Sequence, residues 1–260
     1  MAQQARKRVT FLKDRDKPLV FAGPPRAVRG ELRLLNTTDD KVIIHTPLMR
    51  AAPAARAKAA AAAVAPLPDA VPLRRIIVRG GQTRVVPLML NLAPTTPPGT
   101  YHAEIDVDGH LQPVVVHVTE DVAFSIEPST VVVPNRPGEK VKKQIIVTNS
   151  GNVAVSMKSI GAVVLDDELA HCKALRGALH DVGAKMTKLD DFVTALGRRY
   201  HDLYETLTLK VQNENTTVDP GDTQAVDLTI TVPEKLNART RYTGYAAVST
   251  QSVSFVVTPE

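Results

Sequence analysis

The segments GQTRVVPLMLNL (81–92) and GDTQAVDLTITV (221–232) are two versions of one sequence within a single chain. After the opening turn of each segment, apolar residues recur at every second position: Val86, Leu88, Leu90 and Leu92, and then Val226, Leu228, Ile230 and Val232. This is the period of a β-strand with one buried face, and a glycine in front of it marks a turn. The chain therefore carries the same strand, entered through the same kind of turn, in two places.

The match continues downstream of both segments. Tyr101 and Tyr242 each open a second alternating strand, and VVVHVT (114–119) and SFVVT (254–258) are the last strands of the two copies. In the first copy Asp108-Gly109 predicts a tight hairpin turn. The two copies thus share the order of their closing strands as well as their central one.

The match also continues upstream, where ELRLLNTTDDKVIIHT (31–46) parallels KKQIIVTNSGNVAVSMKS (142–159) as strand, Asn-led turn and strand. Six or seven short strands with regular turns are typical of an immunoglobulin-like sandwich. We therefore predict a mainly β protein with two tandem immunoglobulin-like β-sandwiches. Residues 1–120 form the first and residues 121–260 the second, with a junction near Glu120-Asp121.

Several turn and strand motifs carry a resemblance to known modules. They are LLNTTDD (34–40), RGGQT (79–83) and PPGTYHAEIDVDG (97–109) in the first copy, and VTNSGNVAV (147–155), VDPGDT (218–223) and YTGYAAVS (242–249) in the second. The chain resembles bacterial immunoglobulin-like modules of the NEW3, CARDB and ASH (major-sperm-protein-like) type. The resemblance covers most of both copies except their middles, and it implies adhesion, scaffolding or docking with no catalytic residues.

The middles of the two copies differ from each other. In the first, residues 47–73 form an Ala/Pro-rich insertion in which eleven of the sixteen residues 51–66 are Ala. Alanine favours helix, so a short helix around residues 54–65 is one interpretation. The flanking prolines favour a flexible linker instead, and the sequence does not decide between the two.

In the second copy, residues 163–207 have a helical period and predict an inserted α-helical hairpin. Two apolar stripes are expected to pack, one on each helix: Leu165, Leu169, Cys172, Leu175 or Arg176, and Leu179, and then Leu189, Phe192, Val193, Leu196, Tyr200 and Leu203. Asp166, Asp167 and Glu168 are expected at the start of the first helix and Gly183 at its C-cap, while Thr187 and Asp190 resemble a capping box.

This hairpin is also the strongest functional indication in the sequence. An immunoglobulin-like domain does not require a helical insertion of about forty residues, and long insertions are usually functional. Phe192, Tyr200 and Tyr204 are the candidate partner-binding residues, because tyrosine is enriched at interface hot spots. The alternative is that both stripes only pack on each other and on the sandwich.

Composition limits the other classes of function. The formal charge of +5 is small beside 32 basic and 27 acidic residues, and the densest basic run is only Arg6-Lys7-Arg8. A nucleic-acid surface clusters Lys and Arg on one face, and the sequence shows no such cluster, so nucleic-acid binding is not expected. The single cysteine, Cys172, cannot form an intramolecular disulfide. No signal peptide or membrane-spanning segment is evident, so the default expectation is a cytoplasmic protein without membrane insertion, with signal-independent export left open.

No motif predicts a catalytic, cofactor-binding or metal site, and we expect no enzyme activity. Gly80-Gly81 is followed by a strand, whereas a phosphate-binding loop leads into a helix. His171, Cys172 and His180 lack the spacing of helical metal ligands, and Asp106, Asp108 and His110 are explained as an exposed polar face. Cys172 falls on an apolar stripe, where cysteine behaves as a small hydrophobe.

The sequence therefore predicts a non-enzymatic structural or adaptor protein that docks onto, or builds into, a larger protein assembly. Its partners are other protein subunits or further copies of itself. A surface adhesin or carbohydrate-binding module remains one alternative. A two-domain pilus-type chaperone is the other, and it would use VVVPN (131–135) as an edge strand.

Overall fold

The structure is a computed structural model that describes residues 9–11, 17–44, 48–51, 71–72, 75–107, 110–157, 161–167, 169–183, 189–212 and 216–259. The chain divides into two compact units. The first comprises Met1–Val122 with Gly151–Val153, and the second comprises Ala123–Ser150 with Ala154–Glu260.

The described part of the first unit contains ten strands and one short 3-10 helix (Pro25–Ala27) between the second and third strands. The strands are β1 (Val9–Phe11), β2 (Leu19–Gly23), β3 (Val28–Asn36), β4 (Val42–Ile44), β5 (Leu48–Ala51), β6 (Val71–Pro72), β7 (Ile76–Val78), β8 (Thr83–Leu90), β9 (Gly99–Val107) and β10 (His110–Val118).

Pairing in the first unit produces one large sheet and one small one. The large sheet has the order β1-β3-β2-β10-β9-β5-β6, with β8 paired to the other edge of β3. Strands β4 and β7 form a separate two-stranded ladder. Strand β10 pairs parallel to β2 and antiparallel to β9, with Val107 opposite His110, while the predicted turn Asp108-Gly109 lies outside the described residues.

The second unit holds ten more strands and both helices of at least eight residues that the structure describes. The strands are β11 (Phe124–Glu127), β12 (Thr130–Pro134), β13 (Lys140–Asn149), β14 (Val155–Ser156), β15 (Ala162–Asp167), β16 (Glu205–Val211), β17 (Thr217–Val218), β18 (Thr223–Thr231), β19 (Tyr242–Val248) and β20 (Gln251–Thr258). The helices are α1 (Ala170–Val182) and α2 (Leu189–Leu203).

Pairing in the second unit follows the immunoglobulin-like plan. The large sheet has the order β11-β13-β18-β16-β15-β19-β20-β12, and β14 pairs with β17. The two halves of this path face one another across a single apolar core, to which Ile145 and Leu228 contribute from one half and Leu165 and Phe255 from the other. A split first strand, whose second part (β12) runs parallel to the last strand (β20), completes the plan.

The two units correspond strand by strand, with β1 to β10 matching β11 to β20 in order. The ladders β3–β8 and β13–β18, and β9–β10 and β19–β20, are the same antiparallel pairs in each unit. Both insertions fall at one topological point, since residues 52–70 separate β5 from β6 and the helices separate β15 from β16. The predicted tandem mainly β architecture with a helical insertion is confirmed, and the possible helix over residues 54–65 lies outside the described residues.

The glycine that opens each repeated segment has a backbone reason. Gly81 and Gly221 adopt φ values of +65° and +86°, in the left-handed region that side chains with a Cβ disfavour. Beside each turn, the backbone N–H of Asn36 or Asn149 donates to the carbonyl of the residue after the glycine, at 3.1 and 2.9 Å. The repeated turn therefore ties the end of β3 or β13 to the start of β8 or β18.

Tyr101, the third residue of β9, and Tyr242, the first residue of β19, play the same structural role. The hydroxyl of Tyr101 donates to the Pro97 carbonyl at 2.7 Å, and the hydroxyl of Tyr242 accepts from the Asn237 N–H at 3.1 Å. Both side chains are buried. A tyrosine bonded to the backbone a few residues upstream is the tyrosine corner of immunoglobulin-like folds, and each unit has one.

Candidate partner-binding surface

The helical hairpin lies outside the apolar core of the second unit. The core is assembled from strands and the loops between them, and it includes no residue of α1 or α2 among those described. The helices are instead packed on each other. The hairpin is therefore an addition to a sandwich that is complete without it.

Helix α1 begins later than the sequence predicts. Leu165, Asp166 and Asp167 belong to strand β15, because Leu165 pairs with Glu205 on one side and Gly244 on the other. Asp167 still prepares the helix, since its carboxylate accepts the Leu169 N–H at 2.6 Å and forms an ion pair with Lys173. At the other end the predicted C-cap is confirmed, because the Gly183 N–H donates to the Leu179 carbonyl.

The buried face of α1 is not the predicted one. Ala170, Ala174 and Ala178, spaced four residues apart, are buried and form one stripe. The residues that flank them reach α2, as the contacts of His171, Gly177 and Asp181 show. The alanines therefore face α2, and their small size lets the two helices approach closely.

The predicted stripe of larger apolar residues on α1 points away from this contact. At 100° per residue, Cys172, Leu175 and Leu179 lie about 140° around the helix from the alanines. Cys172 is exposed, Leu169 and Leu179 are 58% and 59% exposed, and Leu175 is 43% exposed. The expectation that these side chains are buried, Cys172 among them, is wrong. We call these four residues (Leu169, Cys172, Leu175 and Leu179) the hairpin stripe.

Helix α2 is half-buried along one face and has no fully buried residue. Its half-buried side chains are Phe192, Ala195, Leu196, Arg199, Tyr200 and Leu203. Leu189 and Val193, which the sequence places on the packed face, are instead 70% and 57% exposed. Both helices thus present large apolar side chains to solvent.

Polar and aromatic contacts fix the two helices against each other. Arg199 donates from Nε and Nη2 to the two carboxylate oxygens of Asp181, at 2.7 and 2.5 Å. These hydrogen bonds lower the pKa of Asp181 and raise that of Arg199. Gly177 lies under this arginine, since a Cβ there would come within 3.1 Å of the Arg199 Nε.

Of the three predicted partner-binding residues, the structure brings two together. Tyr200 and Tyr204 stack with ring centroids 6.2 Å apart, and the Tyr200 hydroxyl hydrogen-bonds to His171 Nδ1 at 2.7 Å. Tyr204 is exposed just ahead of β16. Phe192 lies on the half-buried face of α2 and takes no part in the ring contacts described there.

The sequence missed two features of this region. It assigned the hairpin stripe to packing, and it did not single out Tyr245, which is 68% exposed on β19. The signal for Tyr245 was present. In YTGYAAVS, Tyr242, Gly244, Ala246 and Val248 alternate inward, which turns Tyr245 to the outer face.

The candidate metal ligands do not form a cluster in the described part of the chain. No group of three or more His, Cys, Asp or Glu side chains there is arranged to hold an ion. His171 faces Tyr200 in the hairpin, and His110 lies edge-on to Phe11. Asp108 lies outside the described residues.

Two further sequence features can be placed. Gly80 and Gly81 form the turn that leads into β8, which is a strand. The first four residues of VVVPN fall on β12, and Asn135 follows it directly. Among the described strands β12 pairs with β20 alone, and its Val132 is half-exposed. No helix in the described ranges is long and apolar enough to cross a membrane.

Comparison with known proteins finds no matching family model and no matching curated protein. Solved structures do match over most of the chain. A protein of unknown function from Porphyromonas gingivalis W83 is 12% identical, covering 96% of this chain and 99% of that one, with a TM-score of 0.24. The structure of Dpr11 IG1 bound to DIP-gamma IG+IG2 is 11% identical, covering 96% of this chain and 98% of that one, with a TM-score of 0.30.

A third match is a chaperone–tip adhesin complex of CFA/I fimbriae biogenesis, with 10% identity, 84% of this chain and 87% of that chain covered, and a TM-score of 0.24. At these TM-scores the three similarities add nothing to the fold described above, which rests on the strand pairing itself.

Proposed function

We propose that this chain is a non-enzymatic structural or adaptor protein that docks onto, or builds into, a larger protein assembly. The observation that carries the proposal is the hairpin stripe. It is an apolar face on a helix that the sandwich does not need, opposite the face by which that helix is already packed. The resemblance to NEW3, CARDB and ASH modules supports a scaffolding or docking role.

The energetics favour a covered stripe. Burying a leucine side chain fully contributes about 1.5–3 kcal/mol, so covering the exposed part of Leu175 or Leu179 contributes about 1 kcal/mol. Singly exposed apolar residues are common on protein surfaces, but contiguous apolar patches mark interaction sites. The hairpin stripe is contiguous along α1, and Leu189 and Val193 add further apolar surface on α2.

The test replaces the stripe without disturbing the helix. In the variant Leu175→Glu/Leu179→Glu, glutamate has nearly the helix propensity of leucine, and neither position is buried. The free chain should keep its circular dichroism spectrum and its free energy of unfolding within about 0.5 kcal/mol. Its affinity for the assembly of the native host should fall at least about 30-fold, by the burial estimate above.

The matched control is Leu111→Glu, which changes a leucine that is 61% exposed on β10 of the first unit. It should bind the assembly like the unmodified chain. Equal affinity for all three proteins would contradict the proposal. Equal loss in the control and in the hairpin variant would show a nonspecific effect of added charge and would contradict it as well.

A further inference from the structure

The tyrosines of this chain divide into two sets by location. The sequence contains five, and Tyr101 and Tyr242 are the buried corner residues. The remaining three, Tyr200, Tyr204 and Tyr245, have rings that are half-buried or exposed. Every tyrosine that is not a corner therefore lies on the surface of the second unit.

The sheet register brings two of these tyrosines, Tyr204 and Tyr245, to the two sides of one carboxylate. Leu165 pairs with both Glu205 and Gly244, so β15 runs between β16 and β19. One residue further along, Asp166 pairs with Thr243. The last pair of the β15–β16 ladder is Leu165 with Glu205, and continuing that register by one residue places Tyr204 on the other side of Asp166.

Tyr245 lies two residues beyond Thr243 on the same face of β19. It is a diagonal neighbour of Asp166 at about 7–8 Å, a separation that aromatic side chains span. Tyr200 extends the row by stacking on Tyr204. We call Asp166, Tyr200, Tyr204 and Tyr245 the tyrosine surface.

Asp166, at the centre of this surface, has a carboxylate oxygen without a hydrogen-bond donor in the described part of the chain. Its Oδ1 atom is buried and accepts no hydrogen bond from the described residues. Its neighbour Asp167 differs, because that carboxylate holds both the Leu169 N–H and Lys173. A buried acceptor without a donor costs free energy, and more so when it carries charge. Oδ1 itself is closed to solvent, but Asp166 as a residue is only half-buried, so a cationic donor from outside would approach the remainder of its carboxylate group from the outer face of the sheet.

The flanking rings select the kind of cation. An arginine guanidinium is planar, donates two parallel hydrogen bonds to a carboxylate and stacks on tyrosine faces, whereas an ammonium group does neither as well. One apolar side chain lies beside this pair on the same outer face of β15, since Val164 is 57% exposed two residues before Asp166. The hairpin stripe begins nearby at Leu169, three residues after Asp166.

We propose that the tyrosine surface binds an arginine side chain of a different protein, with the guanidinium paired to Asp166 and stacked on Tyr204 or Tyr245. The inference rests on the proposed docking function and names the chemistry of the partner at that site. Apolar residues beside the arginine in the partner then cover Val164 and the start of the hairpin stripe.

The test uses the full chain with 13C-labelled tyrosine rings, whose five signals include two internal controls. The probe is the peptide acetyl-Gly-Leu-Arg-Leu-Gly-amide, compared with the same peptide carrying neutral citrulline in place of arginine. The ring signals of Tyr204 and Tyr245 should shift and saturate with the arginine peptide, with a Kd of about 1–10 mM. Tyr101 and Tyr242 should not move, and the citrulline peptide should shift nothing.

Variants locate the contact. Asp166→Asn should weaken peptide binding at least about 10-fold, because it removes the charge but not the shape. Asp222→Asn, at an exposed turn of the same unit, is the control and should bind normally. If Asp166→Asn proves poorly folded, Tyr245→Ala at an exposed position should weaken binding about 3-fold or more.

Three results would overturn the inference. One is the absence of a saturable shift, or an equal shift with citrulline. Another is a shift of the same rings by cellohexaose but not by the arginine peptide, which would assign the surface to carbohydrate. The third is a concentration-dependent shift without peptide that Asp166→Asn abolishes, which would place the arginine on a second copy of this chain.

Failure here is distinguishable from failure of the docking function. If Leu175→Glu/Leu179→Glu loses the assembly while the arginine peptide does not bind, the docking function stands and the arginine assignment falls.

Discussion

Tyrosine corners are the clearest residue-scale device that both units share, and they make a direct prediction. Tyr101→Phe and Tyr242→Phe each remove one hydrogen bond, at 2.7 and 3.1 Å, and leave the ring in place. Each should lower the free energy of unfolding of its own unit by about 1 kcal/mol in urea denaturation. Tyr245→Phe changes an exposed hydroxyl and should be neutral, so a similar loss in all three variants would argue against the corner interpretation.

The Tyr101 corner also adds a pH dependence with a definite sign. Burial raises the pKa of Tyr101 above its usual value. A raised pKa in the folded state means that the neutral hydroxyl stabilises the fold fully below the unfolded pKa of about 10, and this contribution is lost at higher pH. The stability difference between the unmodified chain and Tyr101→Phe should therefore shrink above about pH 10.

For single residues, the sequence predicts the place of a side chain in a strand better than it predicts the hydrogen bonds of that side chain. It placed Tyr101 and Tyr242 at the starts of matching strands, but periodicity describes only which face a residue occupies. Whether a hydroxyl reaches a backbone group depends on the path of the preceding loop, which no pattern of apolar residues encodes. The same limit applies to Asp166, whose neighbours come from two other strands.

At the scale of elements, the hairpin shows why an apolar period can indicate the wrong face. The helical spacing of the larger residues on α1 predicts one apolar stripe of leucine and cysteine that packs. In the structure Ala170, Ala174 and Ala178 are buried instead. Small side chains allow close helix contact, and the larger residues remain on the opposite side.

Removal of the hairpin tests whether it is independent of the sandwich. In the proposed variant a short Gly/Ser loop replaces residues 168–204. Asp167→Ser is included because the buried Asp167 carboxylate would otherwise lose Lys173 and the Leu169 N–H. Strands β15 and β16 are adjacent and antiparallel, so a short loop can join them.

The shortened chain should retain β-type circular dichroism and a cooperative melt, since loop closure changes by only about 0.6 kcal/mol per doubling of length. It should no longer join the assembly. A variant that fails to fold would place the hairpin in the core of the second unit. A folded variant that assembles normally would remove the hairpin from the interface.

On the scale of the whole molecule, the duplication was predictable because a period of two repeated in two places leaves few alternatives. The turn glycines and the matching strands follow from the alignment of residues 81–92 with 221–232 and of their flanking segments, and the helical insertion follows separately from the helical period of residues 163–207. What covers the outer surfaces was not predictable, because solvent-facing positions follow no period. The sequence therefore locates the candidate site to the segment 163–207, and the structure shows which of its side chains are exposed.

The most direct test of the docking function uses Cys172, the only cysteine in the chain, as a reporter on the hairpin stripe. Its rate of reaction with a thiol reagent is measured in the isolated chain and again in the assembly purified from the native host. Docking through the hairpin stripe predicts fast labelling of the isolated chain, because the thiol is exposed, and labelling at least about 10-fold slower in the assembly, because access controls reactivity. Equal rates in the two states would contradict it.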